Sequence, residues 1–148
     1  MSDYTIRTAK SESDLSLLTQ LEAIAFPDAW GEREIRSHLC GETAISLLCV
    51  DTGGNAVGYL FGSCLPPEGE VYRIAVLPEV RGRGIGRTIL LSFVDLLDRR
   101  GADVCFLEVR EGNTAARALY ESVGFTTVGV RKNYYKNPTE NALVMKRG

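Results

Sequence analysis

The pattern of apolar and polar positions along the chain predicts strands and helices in mixed order. Apolar residues at every second position, or in short runs between turn residues, indicate strands, and recurrence every three to four residues indicates helices lying on a sheet. We expect strands at residues 4–8, 45–50, 56–64, 71–76, 104–109, 125–130 and 142–146, and helices at about 13–25, 31–40, 85–99 and 113–124. The fold class is therefore α/β, with strands and helices in mixed order.

Turn and capping residues set the expected boundaries of these elements. Ser13 and Asp14 are expected to cap the first helix, whose buried stripe is Leu15, Leu18, Leu21 and Ile24 or Ala25. Residues 51–55 predict a hairpin turn, and residues 66–69 a turn into the next strand. Gly101 and Gly124 are expected to end the third and fourth helices.

The stretch from residue 80 to residue 87 holds alternating glycines and arginines between a predicted strand and a predicted helix. Glycines at positions 82, 84 and 86 allow a tight turn with open N–H groups, and the helix start adds unpaired N–H groups and partial positive charge. Together with Arg81, Arg83 and Arg87, they predict a site for a pyrophosphate-like anion. The alternative is a glycine-rich turn with solvated arginines.

Two common phosphate-binding loops do not match this stretch. A P-loop requires lysine after its second glycine, and here Gly86 is followed by Arg87. A dinucleotide fingerprint requires its third glycine where Arg87 stands. Neither of these two motifs therefore describes the loop.

The arrangement Arg81-x-x-Gly84-x-Gly86 resembles the coenzyme A pyrophosphate loop of the GCN5-related N-acetyltransferase (GNAT) family. Residues 74–76 resemble the central strand of that family, and residues 107–110 and 113–125 its second half. Residues 25–30 and 131–135 resemble the RimI branch, which acetylates the N-terminal alanine of a small-subunit ribosomal protein. The resemblance covers nearly the whole chain and is strongest from Val71 to Tyr135.

The resemblance implies a single N-acetyltransferase domain over residues 1–148, with a twisted mixed sheet of about six to seven strands flanked by helices. The strands around Ile74 and Leu107 would splay apart, and acetyl-CoA, the cosubstrate, would lie in the resulting wedge. The implied coenzyme-binding residues are Ile74, Ala75, Val76, Gly82, Arg83, Gly84, Ile85, Gly86, Arg87 and Asn113. Asn113 can also be simply the helix cap, and the two roles are compatible.

Glu108 is the candidate catalytic base. It shares a strand face with Val104 and Phe106, so its carboxylate lies either at the mouth of the strand or in a low-dielectric site that strengthens it as a base. A strand-end glutamate paired with Arg110 or another cation is the structural alternative, and the match to the family favours catalysis.

Tyr120 is the candidate catalytic acid. Its place on the buried stripe of its helix also fits a core tyrosine with a satisfied hydroxyl. A phenol with an ordinary pKa of about 10 stays protonated and can give its proton to a departing thiolate. The backbone N–H of Val76 would polarise the thioester oxygen.

Two groups of residues are candidates for the walls of an acceptor groove. In the RimI branch the segment Asn133-Tyr134-Tyr135 would form one wall, and a surface loop with packed tyrosines is the alternative. Phe26 and Trp30 are candidates for the opposite wall, and a contact between helix and loop in the core is an equal alternative.

Composition narrows the class of protein. The chain has 148 residues, 45% hydrophobic and 24% charged, with a net charge of −2, so no global basic field favours nucleic acid. Its apolar runs are far below the ~20 residues that span a bilayer, and its start lacks the pattern of a signal peptide. The cysteines at 40, 49, 64 and 105 are expected to be buried free thiols rather than disulfides or metal ligands. We expect a cytoplasmic monomer with no metal and no nucleic-acid or membrane partner.

Three hypotheses for function follow. The first is an acetyl-CoA-dependent transferase acting on the N-terminal alanine of a ribosomal protein, by direct transfer in a ternary complex. The second is a small-molecule amine acetyltransferase of the same fold, because the coenzyme loop does not specify the acceptor. The third, a non-catalytic acyl-CoA-binding regulator, is disfavoured because Glu108 and Tyr120 are both present.

Overall fold

The computed structural model describes residues 3–10 and 12–148. In that part of the chain the elements run in the order β1 (Tyr4–Thr8), α1 (Glu12–Ala25), α2 (Glu32–Leu39), β2 (Ala44–Asp51), β3 (Ala56–Leu65), β4 (Glu68–Val76), a 3₁₀ turn (Pro78–Val80), α3 (Ile85–Arg99), β5 (Val104–Arg110), α4 (Thr114–Ser122), β6 (Thr126–Tyr135) and β7 (Glu140–Arg147). The order of strands and helices agrees with the sequence prediction. None of the helices over these residues is long and apolar enough to cross a membrane.

The seven strands form one sheet in the order β1-β2-β3-β4-β5-β7-β6. Neighbouring strands are antiparallel except β4 and β5, which run parallel. Helix α3 supplies the long crossover that a parallel pair requires. The mixed-sheet α/β class predicted from the sequence is confirmed.

The parallel pair β4–β5 is short, and this opens the sheet. Pairing runs from Glu68 opposite Val104 to Val71 opposite Leu107 and then stops, although both strands continue. A β-bulge bends β4 at this point, since Phe61 pairs with Arg73 whereas the next residue of β3 pairs with Val71. The far ends of β4 and β5 therefore diverge into the wedge that the resemblance implied.

Each face of the sheet carries its own hydrophobic core. Helices α3 and α4 pack on one face, with Phe93 and Leu107 fully buried among the cluster. Helices α1 and α2 pack on the other face against Tyr59 and Phe61. Helix α3 approaches β3 so closely that a Cβ on Gly62 would lie 2.7 Å from the ring of Phe93, which explains the glycine at that position.

The beginning of α1 differs from the prediction. The helix begins at Glu12, so Ser13 and Asp14 lie within its first turn and the predicted cap is wrong. The carboxylate of Asp14 instead accepts the backbone N–H of Lys10 and pairs with the guanidinium of Arg7. At the other end, Ala25 is half-buried and Ile24 is 62% exposed, so Ile24 does not belong to the buried stripe.

Two smaller expectations also need correction. Glu68 and Gly69 already belong to β4, because β3 extends through Leu65 and only Pro66 and Pro67 remain for the turn. All four cysteines are free thiols, but Cys40 is exposed, since it follows the last turn of α2 rather than lying on a core face.

The largest correction concerns β6, which we expected to end at Val130. The strand continues through Arg131 to Tyr135, with an irregular register between those two residues. As the edge strand it pairs only with β7, and Val128 and Val130 are more than half exposed. An edge strand does not need the apolar alternation of a buried strand, and this is why the polar and aromatic segment 131–135 was not recognised as one.

Candidate active site

The backbone of β4 presents hydrogen-bonding groups to the wedge. The N–H of Leu77 donates to the carbonyl of Val57 over 2.8 Å, across the facing pair Gly58 and Val76. In an antiparallel ladder this makes Gly58 and Val76 a non-hydrogen-bonded pair, so the N–H and carbonyl of Val76 point away from β3. By the same alternation the backbone groups of Ile74 also point into the wedge.

The residue between them has the opposite orientation. Ala75 faces Tyr59 of β3, and its side chain packs with the core on the side of α1 and α2. It lines a small surface depression between α1 and the end of β4, whose other lining residues are Leu21, Ile24, Ala25, Tyr59, Val76, Leu77 and Pro78. Sequence spacing alone does not reveal this depression. One hint of it is Ile24, an apolar residue on a helix turn that is partly exposed to solvent.

The glycine loop lies directly beside this end of β4. Gly82 and Gly84 have φ angles of +81° and +78°, and a Cβ at either position would meet no atom within 4 Å. The first helical hydrogen bond of α3 runs from the N–H of Thr88 to the carbonyl of Gly84, over 3.0 Å. The N–H groups before Thr88 therefore have no acceptor within the helix, and the first turn contains no acidic residue. This geometry fits an anion.

The arginines of the loop have different surroundings. Arg81 donates through its Nε to the carbonyl of Val76 over 3.1 Å, which ties the loop to the end of β4. Arg83 donates to the hydroxyl oxygen of Tyr4 over 3.2 Å, and Arg87 is exposed on the first turn of α3. Arg81 thus links the loop to β4, and all three arginines are exposed.

Asn113 is the N-cap of α4, as the sequence predicted. Its side-chain oxygen accepts the backbone N–H of Ala116 over 3.2 Å. Its contact with a coenzyme stays a prediction.

Glu108 is the first residue of β5 beyond the paired stretch, so its side chain stands at the mouth of the wedge. The side chain is 24% exposed, and its carboxylate forms an ion pair with the Nε of Arg131 from β6. Arg110 pairs instead with Glu140. The partner of Glu108 is therefore a cation from two strands away.

A second carboxylate, that of Glu70, lies near the ion pair of Glu108 and Arg131. Burial raises the pKa of Glu70 on β4, the negative charge of Glu108 raises it further, and the positive charge of Arg131 lowers it. Glu70 pairs with Phe106, which shares a strand face with Glu108. Glu70 could not be recognised from the sequence, because the pattern of one strand does not show which side chains of the next strand lie beside it.

Tyr120 lies on the buried side of α4 and is 7% exposed. Its ring meets that of Phe125 at a centroid distance of 6.0 Å. Burial raises the pKa of Tyr120 well above its ordinary value, and the neighbouring phenol of Tyr135 raises it further. Tyr120 is therefore held in its protonated form.

Tyr135 connects the candidate acid and base. Burial raises the pKa of its phenol, and the charge of Glu108 raises it further. The guanidinium carbon of Arg110 lies 4.5 Å from its ring centroid, and the ring packs edge-on against Tyr134 at 5.1 Å. The structure thus brings Glu108, Tyr120 and Tyr135 into one neighbourhood. The nearby Asn133, at φ +52°, donates its N–H to the side chain of Asn141 over 3.0 Å.

The aromatic residues before α2 pack on the α1 and α2 side of the sheet. Trp30 stacks on Phe61 at a centroid distance of 5.2 Å, with the planes 1° apart. The guanidinium carbon of Arg73 lies 4.4 Å from the ring centroid of Phe26 and 5.4 Å from that of Trp30. Both aromatics therefore take part in packing, and their role as a groove wall stays a prediction.

A buried polar network, which sequence patterns alone did not predict, lies beneath these rings. Glu22 on α1 is fully buried and accepts hydrogen bonds from the hydroxyl of Tyr59 and the backbone N–H of Trp30. It also pairs with Arg73 over 3.3 Å. The network joins α1, the loop before α2 and β4.

Comparison with known proteins gives a consistent result. Residues 15–125 match the model of the acetyltransferase (GNAT) family. The chain is 34% identical to the ribosomal protein bS18-alanine N-acetyltransferase of Haemophilus influenzae, with 88% of this chain and 97% of the relative covered. It is 39% identical to the N-alpha-acetyltransferase RimI of Mycobacterium tuberculosis, with 94% and 89% covered.

Solved structures agree with these relatives. The crystal structure of the ribosomal-protein-S18-alanine N-acetyltransferase from Escherichia coli superposes with a TM-score of 0.88, at 32% identity, over 97% of this chain and 92% of that one. The wedge, the glycine loop before α3, the family match and these relatives together show that the chain belongs to the GNAT family of N-acetyltransferases.

Proposed function

We propose that this acetyltransferase uses acetyl-CoA to acetylate the N-terminal α-amine of proteins, with the terminal alanine of a small-subunit ribosomal protein as its main acceptor. The observation that carries the proposal is that Glu108, at the mouth of the wedge, holds a cationic group. The names of the relatives from Haemophilus influenzae and Mycobacterium tuberculosis support the acceptor class.

The residues around the wedge fit acetyl-CoA. The open N–H groups from residue 82 to residue 87 suit the pyrophosphate of acetyl-CoA. Because Gly82 and Gly84 have no side chains, the phosphates can approach the backbone closely. The backbone groups of Ile74 and the N–H of Val76 point away from β3 and suit the arm of acetyl-CoA that carries the amides and the thioester. Bound there, acetyl-CoA would supply the acetyl group and a thiol leaving group.

The chain's own groups account for the proton transfers. Glu108, directly or through a water, takes a proton from the acceptor ammonium and so produces the nucleophilic amine. The N–H of Val76 donates to the carbonyl oxygen on which negative charge develops. Tyr120 holds a proton for the departing sulfur. Its raised pKa is compatible with this role, because the same dry surroundings also make a thiolate more basic.

The chemistry of the acceptor favours an α-amine over lysine. An α-amine has a pKa of about 7.7–8.0, whereas that of lysine is about 10.4. Deprotonating lysine at neutral pH would therefore cost on the order of 3–4 kcal/mol more. A single carboxylate such as Glu108 suffices for the first reaction and is poorly matched to the second.

The acceptor chain would lie between the two aromatic regions described above. Asn133, Tyr134 and Tyr135 at the end of β6 would form one wall, and Phe26 and Trp30 the other. Tyr134 is 49% exposed, which leaves its ring available to a peptide.

Steady-state kinetics on matched acceptors tests the proposal. We would compare a peptide beginning with alanine, the same peptide with a blocked N-terminus and a free lysine, and spermidine. The alanine peptide should have the highest kcat/KM, because the small amine buries too little surface to offset the entropy of positioning. A comparable kcat/KM for spermidine would favour a small-molecule acetyltransferase instead.

A second experiment addresses the natural acceptor. Mass spectrometry of protein N-termini before and after deletion of the gene should show loss of acetylation on a ribosomal protein that begins with alanine. Unchanged acetylation of every ribosomal N-terminus would contradict this choice of acceptor.

A further inference from the structure

Arg131 reaches Glu108 across an intervening strand. Val144 of β7 pairs with Glu108 on one side and with Gly129 of β6 on the other. Arg131, two residues beyond Gly129, extends its side chain diagonally over β7 to the carboxylate at the mouth of the wedge. The side chain remains 58% exposed, so the guanidinium is held by charge rather than by packing.

The guanidinium also interacts with Glu70. The positive charge of Arg131 lowers the pKa of that carboxyl against the effects of burial and of Glu108, which raise it. Arg131 therefore forms an ion pair with Glu108 of β5, and its charge also acts on Glu70 of β4, which stands opposite Phe106 on the same strand face as Glu108. Two carboxylates that converge on one cation form a cation site, and here the chain itself supplies the cation.

We propose that the guanidinium of Arg131 is a resident substitute for the acceptor's ammonium group, held by its ion pair with Glu108 beside the charge of Glu70 until the acceptor displaces it. The inference rests on the proposed function of Glu108 as the base. It adds Glu70 as a second recognition group for the ammonium and Arg131 as a positioning residue that controls access to it.

The geometry also provides a place for the displaced guanidinium. Its carbon lies 5.8 Å from the ring centroid of Tyr134, within the range of a cation–π contact. A rotation of the exposed side chain toward that ring releases Glu108 and keeps the cation beside an aromatic face. The acceptor ammonium then takes over the neutralisation of the two carboxylates.

Other charged or titratable groups lie near Glu70 and Glu108 and also affect how these two carboxylates respond to pH. Glu68 on β4 adds negative charge to Glu70, and the phenol of Tyr135 on β6 faces Glu108. On β7, Lys146 lies on the strand face of Val144, two residues away. Arg110 and Glu140 neutralise each other in their own ion pair.

Charge-removing variants test the inference. Arg131→Gln removes the resident cation, and Lys132→Gln is the matched control because it removes the same charge from the next position of β6. In Arg131→Gln the KM for the alanine peptide should fall about two- to fivefold at low salt, the scale of a partly exposed ion pair. The KM for acetyl-CoA should not change. Arg131→Lys should restore most of the wild-type KM.

The pH profile separates this role from a structural one. Without the cation, the negative charges of Glu70 and Glu108 repel each other unopposed, so the acidic limb of kcat/KM should move to higher pH in Arg131→Gln. Glu70→Gln should move that limb to lower pH and raise the KM for the peptide. A peptide KM that rises in Arg131→Gln, or a profile identical to that of Lys132→Gln, would overturn the inference.

One measurement is independent of activity and of the acceptor. Titration of the Glu70 carboxyl by ¹³C NMR should show a higher pKa in Arg131→Gln than in the wild type and in Lys132→Gln, because the lowering effect of Arg131 is lost. The kinetics of the wild-type enzyme on the alanine peptide test the proposed function. The difference in the Glu70 pKa between Arg131→Gln and Lys132→Gln tests the role of Arg131. An unchanged Glu70 titration would refute the cation site even in an enzyme that prefers another amine.

Discussion

The backbone N–H of Trp30 donates to the carboxylate of Glu22 over 2.8 Å, so a fully buried charge on α1 fixes the loop that leads into α2. The same carboxylate accepts the hydroxyl of Tyr59 and pairs with Arg73. A buried carboxylate is tolerated only when it is paired and fully hydrogen-bonded, and Glu22 meets both conditions. The candidate acceptor wall at Phe26 and Trp30 therefore depends on one charge beneath it.

Glu22→Ala should destabilise the fold strongly. Removal of one partner leaves the guanidinium of Arg73, whose side chain is only 16% exposed, without its buried counter-charge. Loss of one member of a buried pair costs about 3–5 kcal/mol, or a fall in Tm on the order of 10 °C for a chain of this size. Thermal unfolding followed by circular dichroism measures the change. Glu12→Ala, which removes an exposed partner of Arg36 from the same helix, is the control and should change Tm little.

Gly84→Ala should weaken acetyl-CoA binding more than it weakens the fold. At φ +78° any side chain is strained by about 1–2 kcal/mol, and the new methyl group also projects where a pyrophosphate would approach. Gly54→Ala is a matched control, because Gly54 has φ +82° and open space around it but lies in the β2–β3 turn. Isothermal titration with acetyl-CoA should show a loss of affinity for Gly84→Ala alone.

Gly86 allows a second test of the same loop. A Cβ there would meet Leu119 at 3.5 Å, an ordinary contact, so Gly86→Ala should fold normally. The branched side chain of Gly86→Val should reduce affinity for acetyl-CoA. Wild-type affinity in both Gly84→Ala and Gly86→Val would show that the loop is not the anion site.

The sequence predicted the elements well where local patterns decide them. The bounds of α3 agree with the prediction to the residue, because its apolar stripe, the glycine before it and Gly101 after it all act locally. Asn113 was recognisable as a cap for the same reason. The end of β6 was not recognisable as a strand, because an edge strand has no buried face that requires apolar and polar residues to alternate.

The parts of the site that depend on several strands could not be predicted. The contact between Arg131 and Glu108 requires the strand order β5-β7-β6, and sequence spacing does not specify that order. The burial of Glu22 likewise depends on Tyr59 and Arg73 arriving from β3 and β4. Glu108 and Tyr120 were proposed from the family resemblance, and their catalytic roles stay predictions.

Stability should fall at alkaline pH, partly because of Cys105. Burial raises the pKa of this thiol from 9.0 to about 12, so the folded protein keeps a proton that the unfolded chain loses above pH 9. The stability that depends on the protonated thiol is fully present below pH 9 and is lost as pH rises toward 12. The free energy of unfolding should fall by about 1.4 kcal/mol per pH unit over this range. Urea unfolding under reducing conditions between pH 9 and pH 11 measures it.

The control for this effect is the exposed Cys40. Cys105→Ala should flatten the alkaline slope by about one proton. Cys40→Ala should leave the slope as it is in the wild type. Equal slopes in the two variants would mean that Cys105 ionises similarly in the folded and unfolded states.

Glu108→Gln and Tyr120→Phe should both lower kcat, and pH should distinguish them. Loss of a general base or acid typically costs a factor of about 10²–10⁴. In Glu108→Gln part of the rate should return above pH 8, because an α-amine with a pKa of about 7.7–8.0 then loses its proton unaided. In Tyr120→Phe no such recovery is expected, because high pH does not supply the missing proton to the sulfur. The pH dependence of kcat at saturating acetyl-CoA and peptide measures both effects.

Tyr72→Phe is the matched control for Tyr120→Phe. It removes a hydroxyl that donates to the side chain of Ser63 over 3.0 Å on an exposed part of β4, so kcat should stay near the wild-type value. Thermal unfolding of Tyr120→Phe should show little loss of stability, since the ring and its contact with Phe125 remain.

A pH profile of Glu108→Gln identical to that of the wild type would show that Glu108 is not the base. Loss of the base should depress the rate at neutral pH and let it recover at high pH. Recovery of Tyr120→Phe at high pH would instead mean that this phenol assists deprotonation of the amine, and the acid would have to be sought elsewhere, with Tyr135 the next phenol in the same neighbourhood.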